Sequence, residues 1–181
     1  METQKKNFAY IDGANLHKGI GDLGWKLDYR RFRVWLKEKY HVVNAYLFIG
    51  FVAKNKNLYT HLQEAGFILV YKEVTYDGRG MVKGNCDAAL VLKTVCDFYE
   101  KKCDGAVIVS GDGDYAELVQ FLKEKSALRI VISPSNKCSY LLRKQNIPLL
   151  YLATQQKKFE ATVLYKEKAP GADGTAQGSS S

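Results

Sequence analysis

Short apolar runs recur along most of the chain, separated by polar and amphipathic stretches. The runs are rich in β-branched and aromatic residues and are largely apolar on both faces. This pattern is typical of parallel strands that are covered by helices on both sides. The predicted strands span residues 8–11, 42–49, 67–71, 105–109, 128–132 and 147–150.

Apolar residues between these runs recur at helical spacing in three segments. In the last segment, for example, Leu118, Val119 and Leu122 share one face. The predicted helices span residues 29–39, 87–101 and 115–125. Because strand and helix alternate, the pattern predicts a three-layer α/β fold with a mostly parallel central sheet. Residues 73–82 interrupt the alternation and are expected to form a hairpin turn or a flexible loop.

The length of 181 residues predicts one folded domain, at residues 1–168, followed by a flexible tail at 169–181. The tail is rich in glycine, alanine and serine, so it holds nothing that could build a core. Residues 155–168 remain ambiguous between a short helix and an edge strand, since Phe159, Val163 and Leu164 fit either.

The composition excludes several classes of protein. With 46% hydrophobic and 25% charged residues it is typical of a soluble globular chain and not of a disordered one. No apolar run approaches the roughly 18 residues that span a bilayer, and the first residues lack the apolar stretch of a signal peptide. The four cysteines show no C-x-x-C spacing. They are expected to be reduced thiols in the cytoplasm, most of them core residues, and no membrane partner is expected.

The charge balance narrows the class of partner. The chain has 27 lysines and arginines against 19 acidic residues, a formal net charge of +8. This favours a polyanionic partner, although net charge alone does not distinguish a nucleic-acid-binding protein from other basic proteins. No phosphate-binding or dinucleotide-binding glycine motif is present in the sequence, which disfavours nucleoside triphosphates and dinucleotides as ligands.

Four aspartates are placed together by the predicted elements. Asp12 ends the first strand, Asp112 and Asp114 follow the fourth, and Asp87 begins a helix. Since the carboxyl ends of parallel strands meet at one edge of a sheet, these carboxylates are expected to converge there.

Four converging carboxylates would repel one another unless a cation lay between them. Mg²⁺ and Mn²⁺ prefer such oxygen ligands, and a pair of these ions is a recurring device for activating water against a phosphodiester. Glycines at 13, 111 and 113 are expected to let the backbone turn tightly beside the carboxylates.

Each acid also has a structural alternative. Asp87 fits the first turn of a helix capped by Asn85, and Asp114 with Glu117 resembles a capping pair. Asp12 before a glycine fits a simple turn. Their joint occurrence at one edge of the sheet favours the metal site.

Three motifs in this order resemble the NYN domain, also called LabA-like, of the PIN-like nuclease superfamily. They are Y-I-D-G-A-N-L at 10–16, K-G-N-C-D at 83–87 and S-G-D-G-D-Y at 110–115. The resemblance covers roughly residues 7–152. It implies a Rossmann-like, PIN-type sheet and an endoribonuclease that uses Mg²⁺ or Mn²⁺ to hydrolyse RNA. The implied catalytic and metal-binding residues are Asp12, Asp87, Asp112 and Asp114, with Asn15 and Ser110 as supporting polar residues.

The sequence departs from the family pattern at one position. Many members carry a second acid about two helical turns after the aspartate of the K-G-x-x-D motif, where this chain has Lys93. This weakens a second metal site, so a one-metal enzyme and a catalytically weak RNA-binding or regulatory module both stay open. A phosphohydrolase of the haloacid-dehalogenase type is disfavoured, because Asp12 is followed by Gly13 and Ala14 and not by a second aspartate two residues later.

In the expected reaction, Asp12 and Asp112 hold a metal that binds a phosphate oxygen and activates a water, while Asp87 or Asp114 positions that water or a second ion. RNA, more plausibly single-stranded than double-stranded, would lie across basic and aromatic side chains. A homodimer stays open. The candidate RNA contacts, with Arg79 and Lys83 preferred, are Arg30, Arg31, Arg33, Lys54, Lys56, Arg79, Lys83, Lys137, Arg143, Lys144, Tyr76 and Tyr115.

Overall fold

The computed structural model describes residues 5–161 except 73–74, 77–81 and 84–85, and gives the backbone alone at 75, 76, 82 and 83. Its strands are β1 (Asn7–Asp12), β2 (Val42–Gly50), β3 (Ile68–Lys72), β4 (Thr75–Tyr76), β5 (Val82–Lys83), β6 (Gly105–Val109), β7 (Leu128–Ser133) and β8 (Leu149–Tyr151). Its helices are α1 (Gly13–Gly21), α2 (Tyr29–Tyr40), α3 (Lys56–Glu64), α4 (Asp87–Tyr99), α5 (Ala116–Glu124), α6 (Tyr140–Arg143) and α7 (Gln156–Phe159). Short 3₁₀ turns precede α3, α5 and α7.

Six of these strands form one parallel sheet in the order β3-β2-β1-β6-β7-β8. The chain winds outward from β1 in one direction and from β6 in the other, so β1 and β6 are neighbours at the centre. In sheets of this kind the ligand binds at the carboxyl ends of the two central strands. The predicted three-layer α/β fold is confirmed, and β4 and β5 form a separate antiparallel pair where a hairpin was one expectation.

The two faces of the sheet carry separate cores. Along β1, Ala9 and Ile11 face the core that α1, α2 and α7 cover, while Phe8 and Tyr10 face the core of α4, α5 and α6. This alternation follows from the two-residue period of a strand. The expectation that the strands are covered on both faces is wrong for β3, which is half-exposed because it lies at the edge of the sheet.

Three helices were not predicted, α1, α3 and α6. The first two are nine residues long and bury only two side chains each, Leu16 and Ile20 in α1 and Tyr59 and Leu62 in α3, and α6 has only four residues. Such short helices show too little apolar periodicity to be recognised. Residues 54–57 lie in a 3₁₀ turn and in the first turn of α3.

The structure after β8 settles part of residues 155–168, for which the sequence allowed either a short helix or an edge strand. Residues 156–159 form a short helix, and the Phe159 ring packs against Phe32 and Trp35 of α2. Glu160 then forms an antiparallel bridge with Leu27. Residues 162–181, including Val163, Leu164 and the expected tail, lie outside the described part of the chain.

The cysteines depart from expectation in one respect. All four are free thiols, but only Cys138 is buried, Cys86 and Cys103 are half-buried and Cys96 is exposed on α4. Cys86 and Cys103 pack against the core to which Cys138 belongs, so the expectation that most are core residues fails only for Cys96. No helix within the described residues is long and apolar enough to cross a membrane.

Candidate active site

Three of the four predicted acids line one cavity at the carboxyl ends of β1 and β2. The cavity has a volume of about 340 Å³. Its lining includes Asp12, Asp87 and Asp112, together with Asn15 and Lys18 of α1. Its remaining walls are Ala14, Phe48, Ile49, Gly50 and Cys86. The cavity therefore lies at the point where the sheet topology predicts a ligand.

Asp12 occupies the junction between β1 and α1. Its side chain is the N-cap of α1, since Oδ1 accepts a hydrogen bond of 3.0 Å from the backbone N–H of Asn15. Gly13 begins the helix in close contact with β2. A Cβ at this position would overlap the Ile49 side chain and lie 2.7 Å from the carbonyl oxygen of Phe48. Only glycine thus lets α1 start directly beside the strand and hold Asp12 at the cavity wall.

The turn after β6 is fixed by side-chain hydrogen bonds to its backbone. Asn15 Oδ1 accepts 2.9 Å from the N–H of Gly111, which joins this turn to α1. The Ser110 hydroxyl accepts 3.1 Å from the N–H of Asp112, and Asp112 Oδ1 accepts 3.1 Å from the N–H of Asp114. Asn15 and Ser110 therefore support the turn. The residue that caps the 3₁₀ turn at Gly113–Tyr115 is Asp112, and not Asp114 as the sequence suggested.

The glycines near the acids are needed because a side chain would have no room there, and not because they have a positive φ. Among the described glycines only Gly24 and Gly66 have a positive φ, so glycines 13, 111 and 113 permit the expected tight turns by leaving room for neighbouring atoms. At Gly111, a Cβ would lie 2.7 Å from the Ser133 hydroxyl oxygen. The turn after β6 therefore packs directly on the end of β7.

Tyr115 does not have the role expected for it. Its ring is fully buried in the core beneath α5, so the predicted contact of this ring with RNA is wrong. Its hydroxyl donates to Asp87 Oδ1 at 2.5 Å and lies 3.3 Å from Asp12 Oδ2. Because the hydroxyl has only one proton, it donates mainly to Asp87, the closer of the two carboxylates. Tyr115 thus links the two carboxylates that come from β1 and α4.

Burial and two neighbouring carboxylates destabilise the charged form of Asp12. Burial raises the pKa of Asp12, which is 7% exposed, and the charges of Asp87 and Asp112 raise it further. The Asn15 N–H and the Tyr115 hydroxyl oppose this rise. Burial and the hydrogen bond to Asp87 also raise the pKa of Tyr115, so its hydroxyl stays a neutral donor. A cation in the cavity would relieve the repulsion.

The donor set fits a hard divalent cation, but not a cage of four acids. Within the described residues, no three side chains of the metal-binding types are grouped closely enough to hold one ion as they stand. Mg²⁺ commonly keeps several waters and binds through one or two carboxylates, so Asp12 with Asp87 or Asp112 suffices. Asp114 is exposed and lines a neighbouring groove with Glu117. The structure does not bring it into the cavity.

Lys93, which replaces the second acid of the family pattern, belongs to a separate buried network. Its ammonium forms an ion pair of 2.6 Å with Asp97 and lies 4.4 Å from the centroid of the Tyr46 ring. Asp97 is 1% exposed and also accepts a hydrogen bond of 3.0 Å from the Tyr10 hydroxyl. Lys93 is therefore engaged in holding α4 to the sheet.

Of four exposed residues among the predicted RNA contacts, three lie at the same edge of the sheet as the cavity. Lys54 and Lys56 are exposed in the segment that follows β2. Lys137 is exposed in the segment that follows β7 and forms an ion pair of 3.6 Å with Asp22. Arg143 is exposed at the end of α6.

Other predicted contacts lie elsewhere. The Arg33 guanidinium donates to the carbonyls of Val42 and Val43, at the start of β2 and thus at the opposite edge of the sheet. Arg30 pairs with Glu64 at 4.0 Å and Arg31 with Asp28 at 3.3 Å. Neither lines the cavity. Lys144 lines the groove beside Asp114. Arg79 and the side chains of Tyr76 and Lys83 lie outside the described residues.

Sequence reasoning missed Lys18, which places a cation at the cavity. The signal was present but weak: Leu16 and Ile20, four residues apart, indicate a helix that Asp12 caps. Lys18 then falls one turn after Ala14, on the face that lines the cavity. The buried role of Tyr115 had no comparable signal, because a tyrosine after two acidic positions fits a surface loop equally well.

A protein-family model and a solved structure both resemble this chain. The family model that describes the NYN domain matches residues 8–150. The fold is similar to the crystal structure of a protein of unknown function from Vibrio parahaemolyticus, with a TM-score of 0.73 and 20% sequence identity. That match covers 89% of this chain and 99% of the other, and it shows the fold alone. No curated protein matches this chain significantly.

Proposed function

Because the chain belongs to the NYN domain family of the PIN-like nuclease superfamily, we propose that it is an endoribonuclease of LabA-like type. It uses Mg²⁺ or Mn²⁺ to hydrolyse the phosphodiester bonds of RNA. The observation that carries the proposal is the convergence of Asp12, Asp87 and Asp112 on one cavity at the centre of the sheet. The four free thiols support the cytoplasmic location that we include in it.

Each side chain of the cavity has a part in this proposal. Asp12 and Asp112 would hold the metal, which would supply a Lewis acid for a phosphate oxygen and for the attacking water. Asp87, held by the Tyr115 hydroxyl, orients the attacking water and accepts its proton. Lys18 contacts the phosphate from the α1 side of the cavity.

A second candidate function is RNA binding without cleavage. Two observations favour it: Lys93 is tied to Asp97 where many members of the family carry an acid, and no three acids of the described part of the chain are assembled around one point. A site with one weakly held metal would bind RNA and cleave it slowly or not at all.

Incubation of the protein with labelled single-stranded RNA and Mn²⁺ distinguishes the two candidates. We expect cleavage that EDTA abolishes and that Asp112→Asn reduces by about 100-fold or more. The matched control is Asp104→Asn, which makes the same change at the opposite end of β6. The Asp104 side chain there accepts a hydrogen bond from the Lys6 N–H, and an asparagine can keep that bond.

The nuclease and the binding module predict different outcomes of this experiment. Cleavage that survives EDTA, or that Asp112→Asn and Asp104→Asn affect equally, contradicts the proposal. RNA binding without cleavage by the wild type establishes the binding module instead.

A further inference from the structure

Two half-exposed aromatic rings lie beside the cavity, and no function assigned so far uses them. Phe51 and Tyr71, here called the aromatic platform, are 45% and 44% exposed. Their ring centroids are 5.6 Å apart and the rings are nearly perpendicular. Both rest on the buried ring of Tyr59, at 5.9 and 5.2 Å. They are a continuous aromatic surface and not two scattered side chains.

The aromatic platform is held by the backbone on either side of it. The N–H of Phe51 donates 2.9 Å to the carbonyl of Lys72, which extends the pairing of β2 and β3 by one residue. The Tyr59 hydroxyl accepts 2.8 Å from the N–H of Val52 and lies 3.3 Å from the Gly50 carbonyl. The chain on both sides of Phe51 is therefore fixed, which lowers the entropic cost of ordering this surface on binding.

The aromatic platform adjoins residues that line the carboxylate cavity. Tyr71 pairs in register with Ile49, and both Ile49 and Gly50 line the cavity. Adjacent strands lie about 4.8 Å apart, so β3 is separated by about 10 Å from β1, which carries Asp12. A short single-stranded segment can contact both places at once.

The segment that carries the aromatic platform, residues 42–72, has more basic than acidic residues. Between residues 42 and 72 the only acid is Glu64, and it is paired with Arg30. Three exposed cations, Lys54, Lys56 and Lys72, accompany the two rings in this part of the chain. Lysines around exposed aromatic rings are the arrangement with which proteins bind single-stranded nucleic acid.

We propose that the aromatic platform stacks the unpaired bases of single-stranded RNA and so delivers the strand to the carboxylate cavity. This inference rests on the proposed function and specifies its substrate class. A base in a duplex has both faces covered by its neighbours, so a double-stranded RNA cannot use this surface. Stacking is tolerant of sequence because every base has a π-face. Tyr71 and Phe51 thus take the role that was expected of Tyr115.

Binding of a fluorescent oligouridine, measured by anisotropy in EDTA, tests the inference without any cleavage. We expect Phe51→Ala and Tyr71→Ala each to weaken binding by roughly 5- to 100-fold. Phe51→Trp should keep the affinity, and its added emission should be quenched on binding. The matched control is Tyr99→Ala, since Tyr99 is 62% exposed at the far end of α4 from Asp87 and should leave the affinity unchanged.

Four results would overturn the inference. One is wild-type affinity in both platform variants, and another is an equal loss of affinity for a duplex of the same length. The third is a wild-type protein that binds no single-stranded RNA. A dimer that forms with concentration and that Phe51→Ala dissociates would assign the surface to a second copy of the chain. Thermal unfolding is recorded for each variant, and Phe51→Leu and Tyr71→Leu, which keep apolar bulk, replace any alanine variant that fails to fold.

The aromatic platform can be wrong while the proposed function is right, and the proposed function can be wrong while the platform is right. If Asp112→Asn abolishes metal-dependent cleavage while both platform variants bind and cleave as the wild type does, the nuclease stands and the aromatic platform is wrong. If the platform variants lose affinity while no cleavage is seen, the surface stands on a protein that only binds RNA.

Discussion

Removal of the Tyr115 hydroxyl, as Tyr115→Phe, isolates the contact that joins Asp12 to Asp87. The ring stays in place in the core, and only one buried oxygen is lost. That oxygen donates to Asp87 at 2.5 Å and lies 3.3 Å from Asp12. Without it, both carboxylates lose a buried polar partner and the repulsion between them increases.

The expected magnitude follows from one hydrogen bond to a charged group. Such a bond contributes about 1.5–3 kcal/mol, which we expect as the loss in the free energy of unfolding at neutral pH. For a domain of this size, about 2–4 °C per kcal/mol gives a decrease in Tm of ~3–12 °C. As Tyr115 positions catalytic groups without touching RNA, cleavage should decrease by about 10- to 100-fold.

Two matched tyrosine variants separate stability from activity in thermal unfolding and RNA cleavage assays. Tyr10→Phe removes an equally buried hydroxyl that donates to Asp97, so it should be destabilised to a similar extent while it keeps its activity. Tyr140→Phe changes an exposed residue and should stay within about 0.5 kcal/mol of the wild type. The reasoning is refuted if Tyr115→Phe unfolds like Tyr140→Phe or cleaves RNA like Tyr10→Phe.

Three further variants test the neighbouring contacts, each by urea unfolding. Burial raises the pKa of Asp12, so the stability of the metal-free protein falls as pH rises from the usual aspartate value through the raised one. Asp12→Asn keeps the helix cap and should remove this pH-dependent loss of stability, whose slope is at most about 1.4 kcal/mol per pH unit. Equal slopes in the wild type and in Asp12→Asn would contradict the assignment to Asp12. Gly111→Ala should lose about 1–3 kcal/mol because its Cβ crowds the end of β7, whereas Gly21→Ala meets open space and should lose nothing. Lys93→Met should lose roughly 2 kcal/mol, less than for a fully buried pair because Lys93 is 33% exposed, and it should keep its cleavage activity; a loss of cleavage would place Lys93 in the site.

The fold was predictable because its sheet is buried on both faces. Central strands such as β6 contain only glycine and apolar residues, and their short runs stand out against the helices between them. The long helices α2 and α4 were predicted to within two residues at each end. The short helix α1 was not, because three of its nine residues are glycines and two are buried.

The candidate site was predictable only in outline. Asp12 and Asp112 were identified because each follows a buried strand, a relation that the sequence displays directly. Which neighbours reach the cavity depends on tertiary packing instead. The 3₁₀ turn at Gly113–Tyr115 directs Asp114 outward and the Tyr115 ring inward. The glycines at 13 and 111 are required by contacts with β2 and β7, which no local pattern reveals.

The central claim is that the carboxylates at the ends of β1 and β6 bind the metal ion of an RNA-cleaving site. Its most direct test is anomalous diffraction from crystals of the protein soaked in Mn²⁺ at a concentration that supports cleavage. We predict a manganese peak in the cavity beside Asp12 and Asp112, and its loss in crystals of Asp112→Asn. A wild-type crystal with no peak in the cavity, or with its peak at Asp114 instead, would contradict the account.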